Sequence, residues 1–133
     1  QRQMCIRDRA VPELAGKLTS NAIRVPVPNG SLAILNLNLH GKTTREDVNA
    51  ILKKYALEGD LVEQIRYSMS NELVSSDIVG NLEPAIFDSH ATIVSDEGDH
   101  ALLYVWYDNE YGYSHQVMGL AKYIAKVRRF TYY

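Results

Sequence analysis

Residues 31–39 read SLAILNLNL, and alternate positions separate by polarity. Ala33, Leu35, Leu37 and Leu39 fall on one face, while Asn36 and Asn38 fall on the other. A period of two describes a strand with one buried face. Asn29-Gly30 stands just before it and is a strong hairpin-turn signal. The pattern therefore predicts a hairpin, with residues 20–28 as its first arm. Pro26 and Pro28 bar that arm from the middle of a sheet, because proline has no N–H to give to a ladder. Past Gly41 the period lengthens. Val48, Ile51, Leu52 and Tyr55 follow helical spacing. Thr43 or Thr44 can cap this helix, and Glu46 and Asp47 suit the positive end of its dipole. Gly59 and Asp60 end it.

Beyond this helix the signal shortens. Residues 61–68 read as a short helix followed by a short strand at 65–68. Residues 72–81, ELVSSDIVGN, are too small and polar for a core element and read as a loop with a short strand at 73–75. Residues 84–94 read as a strand bulged near Asp88 and Ser89, and SDEGD at 95–99 as a turn. ALLYVWY at 101–107 is apolar on both faces, as in a central strand covered on both sides. A last helix is expected over 110–128, with Tyr113, Val117, Leu120, Ala121, Ile124 and Val127 as its apolar stripe. The order predicts an α+β fold: a largely antiparallel or mixed sheet, flanking helices and a long C-terminal helix. No GxGxxG fingerprint occurs, so no complete Rossmann domain is expected here.

Composition excludes more than it selects. The chain has 133 residues, of ordinary globular composition, and a formal net charge of -2. That balance gives no whole-chain attraction to nucleic acid or an anionic membrane. No apolar run approaches a bilayer-spanning length. Cys5 is the single cysteine, so no intrachain disulfide can form, and a cytoplasmic, reducing location fits. QRQMCIRDR at residues 1–9, with three Arg against one Asp, differs in character from the rest of the chain and reads as a non-native lead-in. His40, His90, His100 and His115 show no metal-ligand spacing with the cysteine. Cys5 has no histidine or helix N-terminus beside it to activate it as a nucleophile. The basic, aromatic tail KVRRFTYY reads as a solvated helix end rather than a nucleic-acid contact. From these features alone the reaction is not legible.

Five segments change that. PELAGKL, AIRVPVPN, VSSDIVGN, IFDSHATI and WYDNEYGYS stand in one order over residues 10–120. In order and spacing they resemble the end of the glyceraldehyde-3-phosphate dehydrogenases, and WYDNEYGYS at 106–114 is the most specific of them. The resemblance divides the chain into a lead-in at 1–9, the later part of a catalytic domain at 10–109, and a C-terminal helix and tail at 110–133. It implies a fragment of an NAD-dependent, phosphorylating aldehyde dehydrogenase of glycolysis, homotetrameric when complete, acting on glyceraldehyde 3-phosphate and inorganic phosphate. NADP use stays open.

Three positions inherit roles from the resemblance. Arg24, in AIRVP, corresponds to the arginine that grips the substrate phosphate; a guanidinium offers planar paired donors and stays charged. Asn109, in YDNE, corresponds to the asparagine that meets the nicotinamide carboxamide, amide against amide. As a purely structural residue, Asn109 would instead cap the last helix. Tyr113 corresponds to a tyrosine lining the nicotinamide pocket, or serves as a core anchor on the helix stripe. The family's nucleophilic cysteine lies in an SCTTN-like motif, and nothing like it occurs here. Its base histidine and cofactor-binding fold lie upstream in relatives, so no residue of this chain is assigned to bond-making. Val27, Gly30 and the His115-Gln116 pair depart from common family residues, which bears on subtype and subunit contacts. Tyr107 and Tyr111 favour the glyceraldehyde form over the related erythrose-4-phosphate dehydrogenases. The alternatives are a non-catalytic interaction module that reuses the family's oligomer surface, or a fragment of the related erythrose-4-phosphate dehydrogenase.

Overall fold

A computed structural model describes residues 10–127; residues 1–9, with Cys5, and the tail from residue 128 lie outside the described residues. Five strands form one sheet: β1 (Ser31–Asn38), β2 (Ile65–Ser68), β3 (Ala85–Asp88), β4 (Ile93–Val94) and β5 (His100–Tyr107). The strand order is β1-β5-β3-β2, and β4 also pairs with β5. All pairings are antiparallel except β2 with β3. Among the described residues three α-helices accompany the sheet, α1 (Arg45–Leu57), the single turn α2 (Ser75–Ile78) and α3 (Tyr111–Ile124), and a short 3-10 helix, Pro12–Leu14, precedes them. The fold is α+β with a mixed, largely antiparallel sheet.

Register explains the patterns. Ala33, Leu35 and Leu37 lie opposite Val105, Leu103 and Ala101, so the apolar alternation of β1 meets that of β5 on one face. Phe87 pairs with both Val105 and Tyr67, placing β3 and β2 on that face too. Phe87, Ala101 and Leu103 form the buried centre, with Leu37, Leu39, Val48, Leu52 and Ile65 packed around them. Val48 and Leu52 come from α1, which therefore covers this face. The Tyr67 and Phe87 rings meet with centroids 5.7 Å apart, tilted as aromatic quadrupoles prefer. Ile86, on the opposite face, is also buried, as is Ile78 of α2.

α1 starts where the sequence places it. Thr44 Oγ1 accepts from Asp47 N, satisfying one of the helix's orphan N–H groups. Gly59 follows its end with a φ of 85°. Other expectations need correction. The hairpin does not form: residues 20–28 contain no strand, and the partner of β1 is β5. Pro26 and Pro28 supply no N–H, and Val27 N donates to Val25 O within its own segment. Asn29-Gly30 does turn the chain, with Gly30 at a φ of 92°.

The expected strand at 73–75 is instead the lead into α2, whose Asp77 carboxylate accepts from Val74 N at 3.0 Å. This local side-chain bond outcompetes extension. That segment is not free of core residues either, because Ile78 is fully buried. The strand expected over 84–94 is split into β3 and β4. Between them Asp88 Oδ1 accepts from Ala91 N, and Thr92 Oγ1 donates to Asp88 O, closing a turn. The short helix expected after residue 61 is only a turn closed by Gln64 N and Ile65 N on Leu61 O. Finally, α3 ends at Ile124 rather than 128. Lys126 takes a φ of 56°, its N–H reaching Tyr123 O and that of Val127 reaching Lys122 O. Those two bonds are the Schellman stop, here with lysine where glycine is usual.

Candidate functional site

The segment joining β5 to α3 is organised by Asp108, not by Asn109. Asp108 is 2% exposed, and its carboxylate accepts four hydrogen bonds. Oδ1 accepts from Glu110 N at 2.8 Å and Tyr111 N at 2.9 Å. Oδ2 accepts from Gly80 N at 2.9 Å and Asn29 Nδ2 at 3.0 Å. One side chain thus caps α3 and ties it to the loop after α2 and to the turn before β1. Burial pushes this carboxyl up. The N–H groups of Tyr111, Gly80 and Glu110, with the Asn29 amide, outweigh it and hold the group below the usual aspartate value.

Asn109 therefore does not cap the helix; that structural alternative is corrected by a shift of one residue. Asn109 is exposed, and its Oδ1 accepts from Ser31 Oγ at 2.6 Å. Its amide nitrogen donates to no protein group among the described residues. Ser31 opens β1 and lies opposite Tyr107 in the ladder, two residues before Asn109. Tyr113 lies one helical turn further on and is 73% exposed, so the core-anchor alternative does not hold within the described residues. Tyr111 beside it is also exposed.

Arg24 occupies the irregular, exposed segment before the Asn29-Gly30 turn. No ion pair joins Arg24 to a carboxylate among the described residues. No hydrogen bond links Arg24 to Asn109 or Tyr113. The structure brings Asn109 and Tyr113 to one helix start. Two open depressions, about 290 Å³ and 220 Å³, border α2 and share Arg66 and Asp77; the first also reaches Gly80. Arg66 donates there to Asn81 Oδ1 at 2.7 Å. No cluster of three or more His, Cys, Asp or Glu suited to a metal occurs among the described residues. No described helix is long and apolar enough to cross a membrane.

Sequence reasoning missed Asp108, Asn29 and Gly80 as the supports of this site. A signal for the first was present: Asp108 precedes α3 by three residues, within reach of its first free N–H groups. Nothing local pointed to Asn29 or Gly80, which meet Asp108 only through the fold.

A mixed sheet, a buried aspartate at the strand-to-helix junction and an exposed Asn-Tyr pair just beyond it define a domain that presents polar groups on a fixed turn. Residues 8–109 match the family profile described as glyceraldehyde 3-phosphate dehydrogenase, C-terminal domain. The chain is 51% identical over 119 residues to a glyceraldehyde-3-phosphate dehydrogenase-like protein of Pseudomonas aeruginosa, covering 90% of this chain and 25% of that protein. It is 48% identical over 116 residues to glyceraldehyde-3-phosphate dehydrogenase 1 of Bacillus subtilis, covering 87% of this chain and 34% of that protein. A third relative, glyceraldehyde-3-phosphate dehydrogenase of Priestia megaterium, is 48% identical over 115 residues, 86% of this chain and 33% of that protein. The chain belongs to the glyceraldehyde-3-phosphate dehydrogenase family and corresponds to its C-terminal domain. It spans a quarter to a third of the length of these relatives.

Proposed function

We propose that this chain is the binding half of the catalytic domain of an NAD-dependent, phosphorylating glyceraldehyde-3-phosphate dehydrogenase of glycolysis. The observation that carries the reading is the division of labour at the strand-to-helix junction. Asp108 takes the capping bonds of α3, which leaves the Asn109 amide exposed and its N–H groups unspent. A primary amide on a fixed turn, with both N–H groups and one lone pair of its oxygen unspent, is chemically matched to a carboxamide, since each offers a donor and an acceptor. Held there, a nicotinamide ring presents one face to the substrate, which is worth more to hydride transfer than binding alone. Tyr113, exposed one turn along, provides an aromatic wall for the same pocket.

Arg24 grips the phosphate of glyceraldehyde 3-phosphate. Its guanidinium is exposed and has no carboxylate partner among the described residues, so it is available to a dianion. NAD, held by Asn109 and Tyr113, would supply the hydride acceptor. The nucleophilic thiolate and the base are not assigned to any residue of this chain, because no SCTTN-like motif occurs in it. The complete enzyme is cytoplasmic and homotetrameric in this reading.

A crossed kinetic test in the complete enzyme bearing this sequence separates the roles. Arg24→Ala raises KM for the aldehyde phosphate about tenfold or more, the worth of one charged hydrogen-bond pair, and leaves KM for NAD unchanged. Asn109→Ala does the reverse. If both substitutions shift the same constant, or neither shifts any, the assignment is wrong.

A further inference from the structure

We propose that Ser31 is a positioning residue for the nicotinamide site, because its hydroxyl clamps the Asn109 amide in the orientation that meets the cofactor. This rests on the nicotinamide reading of Asn109 and deepens it. The Ser31 Oγ to Asn109 Oδ1 bond, at 2.6 Å, joins residues 78 positions apart. It is the one protein hydrogen bond that the Asn109 side chain makes among the described residues. An exposed asparagine without such a partner rotates freely about its side-chain bonds, and ordering it costs binding energy at each encounter. With Ser31 donating, one lone pair of Oδ1 is engaged. The second lone pair and both N–H groups remain for a ligand amide.

The two ends of the clamp are themselves fixed. Asn109 follows Asp108, whose carboxylate is buried. Ser31 follows Asn29 by two residues, and Asn29 Nδ2 donates to that same carboxylate at 3.0 Å. Asn29 Oδ1 accepts in turn from Gly30 N at 2.7 Å, which shapes the entry into β1. The ladder then sets Ser31 opposite Tyr107. Gly30 cannot readily be replaced in this arrangement: its φ is 92°, and a Cβ there would approach Ser75 O to 3.3 Å. Asp108, Asn29 and the first rung of the β1–β5 ladder thus bring the hydroxyl to the amide without help from any ligand. In this proposal Ser31 acts through its bond to Asn109.

The test uses the complete enzyme carrying this sequence, with NAD as the probe, and reads the dissociation constant and the melting temperature. Ser31→Ala is expected to weaken NAD binding about fivefold, the worth of one hydrogen bond. Ser31→Thr, which keeps the hydroxyl, restores most of it. Melting temperatures of both variants stay at the parent value, and KM for the aldehyde phosphate is unchanged. If Asn109→Ala weakens NAD and Ser31→Ala does not, the clamp is refuted while the nicotinamide reading stands. Lost binding that Thr fails to rescue, accompanied by a lowered melting temperature, marks a structural role and also refutes the clamp. An Asn109→Ala variant with unaltered NAD affinity overturns both.

Discussion

Helices α1 and α3 have nearly the same length, 13 and 14 residues, but are held in different ways. α1 lies against the sheet through Val48 and Leu52, and buries Ala56. α3 buries only Gly112 among its residues, where a Cβ would come within 3.4 Å of the Pro84 Cα. Its apolar stripe is open: Leu120 is 59% exposed and Ile124 is 70% exposed. What holds α3 is polar and lies at one end, in the bonds from Glu110 N and Tyr111 N to Asp108. A helix anchored by its first turn places the residues of that turn accurately and the rest loosely. The residues placed accurately here are the ones proposed to meet the cofactor.

The contrast can be broken by substitution. Phe87→Ala, at the centre beneath α1, is expected to cost about 3–5 kcal/mol in urea unfolding, since it removes a large side chain from a closed site. Leu120→Ala, on the open stripe of α3, is expected to change stability by no more than about 0.5 kcal/mol. Equal losses at the two positions would erase the distinction between the helices.

Asp108 sharpens the same contrast. Asp108→Ala strips the acceptor from three backbone donors and from the Asn29 amide. A loss of about 2–4 kcal/mol is expected, with faster amide exchange at the start of α3 than in α1. The pH dependence comes from the depressed pKa. The folded chain favours the carboxylate, so Asp108 adds stability that is fully present above the unfolded aspartate value of about 3.9. That contribution is lost as pH falls through the lower, folded value. Asp99 is likewise depressed, first by its hydrogen bond to the His100 side chain and then by Ser95, but it is solvent-exposed. Asp108→Asn should therefore flatten the acid limb of the stability curve more than Asp99→Asn; the opposite ranking would remove Asp108 from its central place.

Much of the fold is legible in the sequence, for reasons that can be named, but the open stripe of α3 is not. β1 and α1 announce themselves through periods of two and 3.6, and Thr44 sits where a cap is needed. β5 has β1 along one edge and β3 and β4 along the other, but only one of its faces is closed over, by Phe87 and α1; on the other face its neighbours Ile34 and Ile93 are exposed, so the expected cover on both sides is not found among the described residues. The hairpin failed because a turn signal is local, whereas the pairing of Ser31 with Tyr107 is set by the whole fold. α2 is invisible in the sequence because four residues carry no period, and its one buried side chain, Ile78, follows two serines and an aspartate. At the site, Arg24, Asn109 and Tyr113 came from resemblance. The physical support beneath them, Asp108 bonded to Asn29 and Gly80, came only from three-dimensional contacts.

The central claim is that these residues hold and orient substrate and cofactor but make and break no bonds. An NADH-production assay on the 133-residue chain, with glyceraldehyde 3-phosphate, phosphate and NAD, tests it most directly, with circular dichroism on the same sample to establish that the helices and sheet are formed. The expected result is a folded chain with no turnover above the uncatalysed rate. Turnover comparable to that of a full-length relative would contradict the claim.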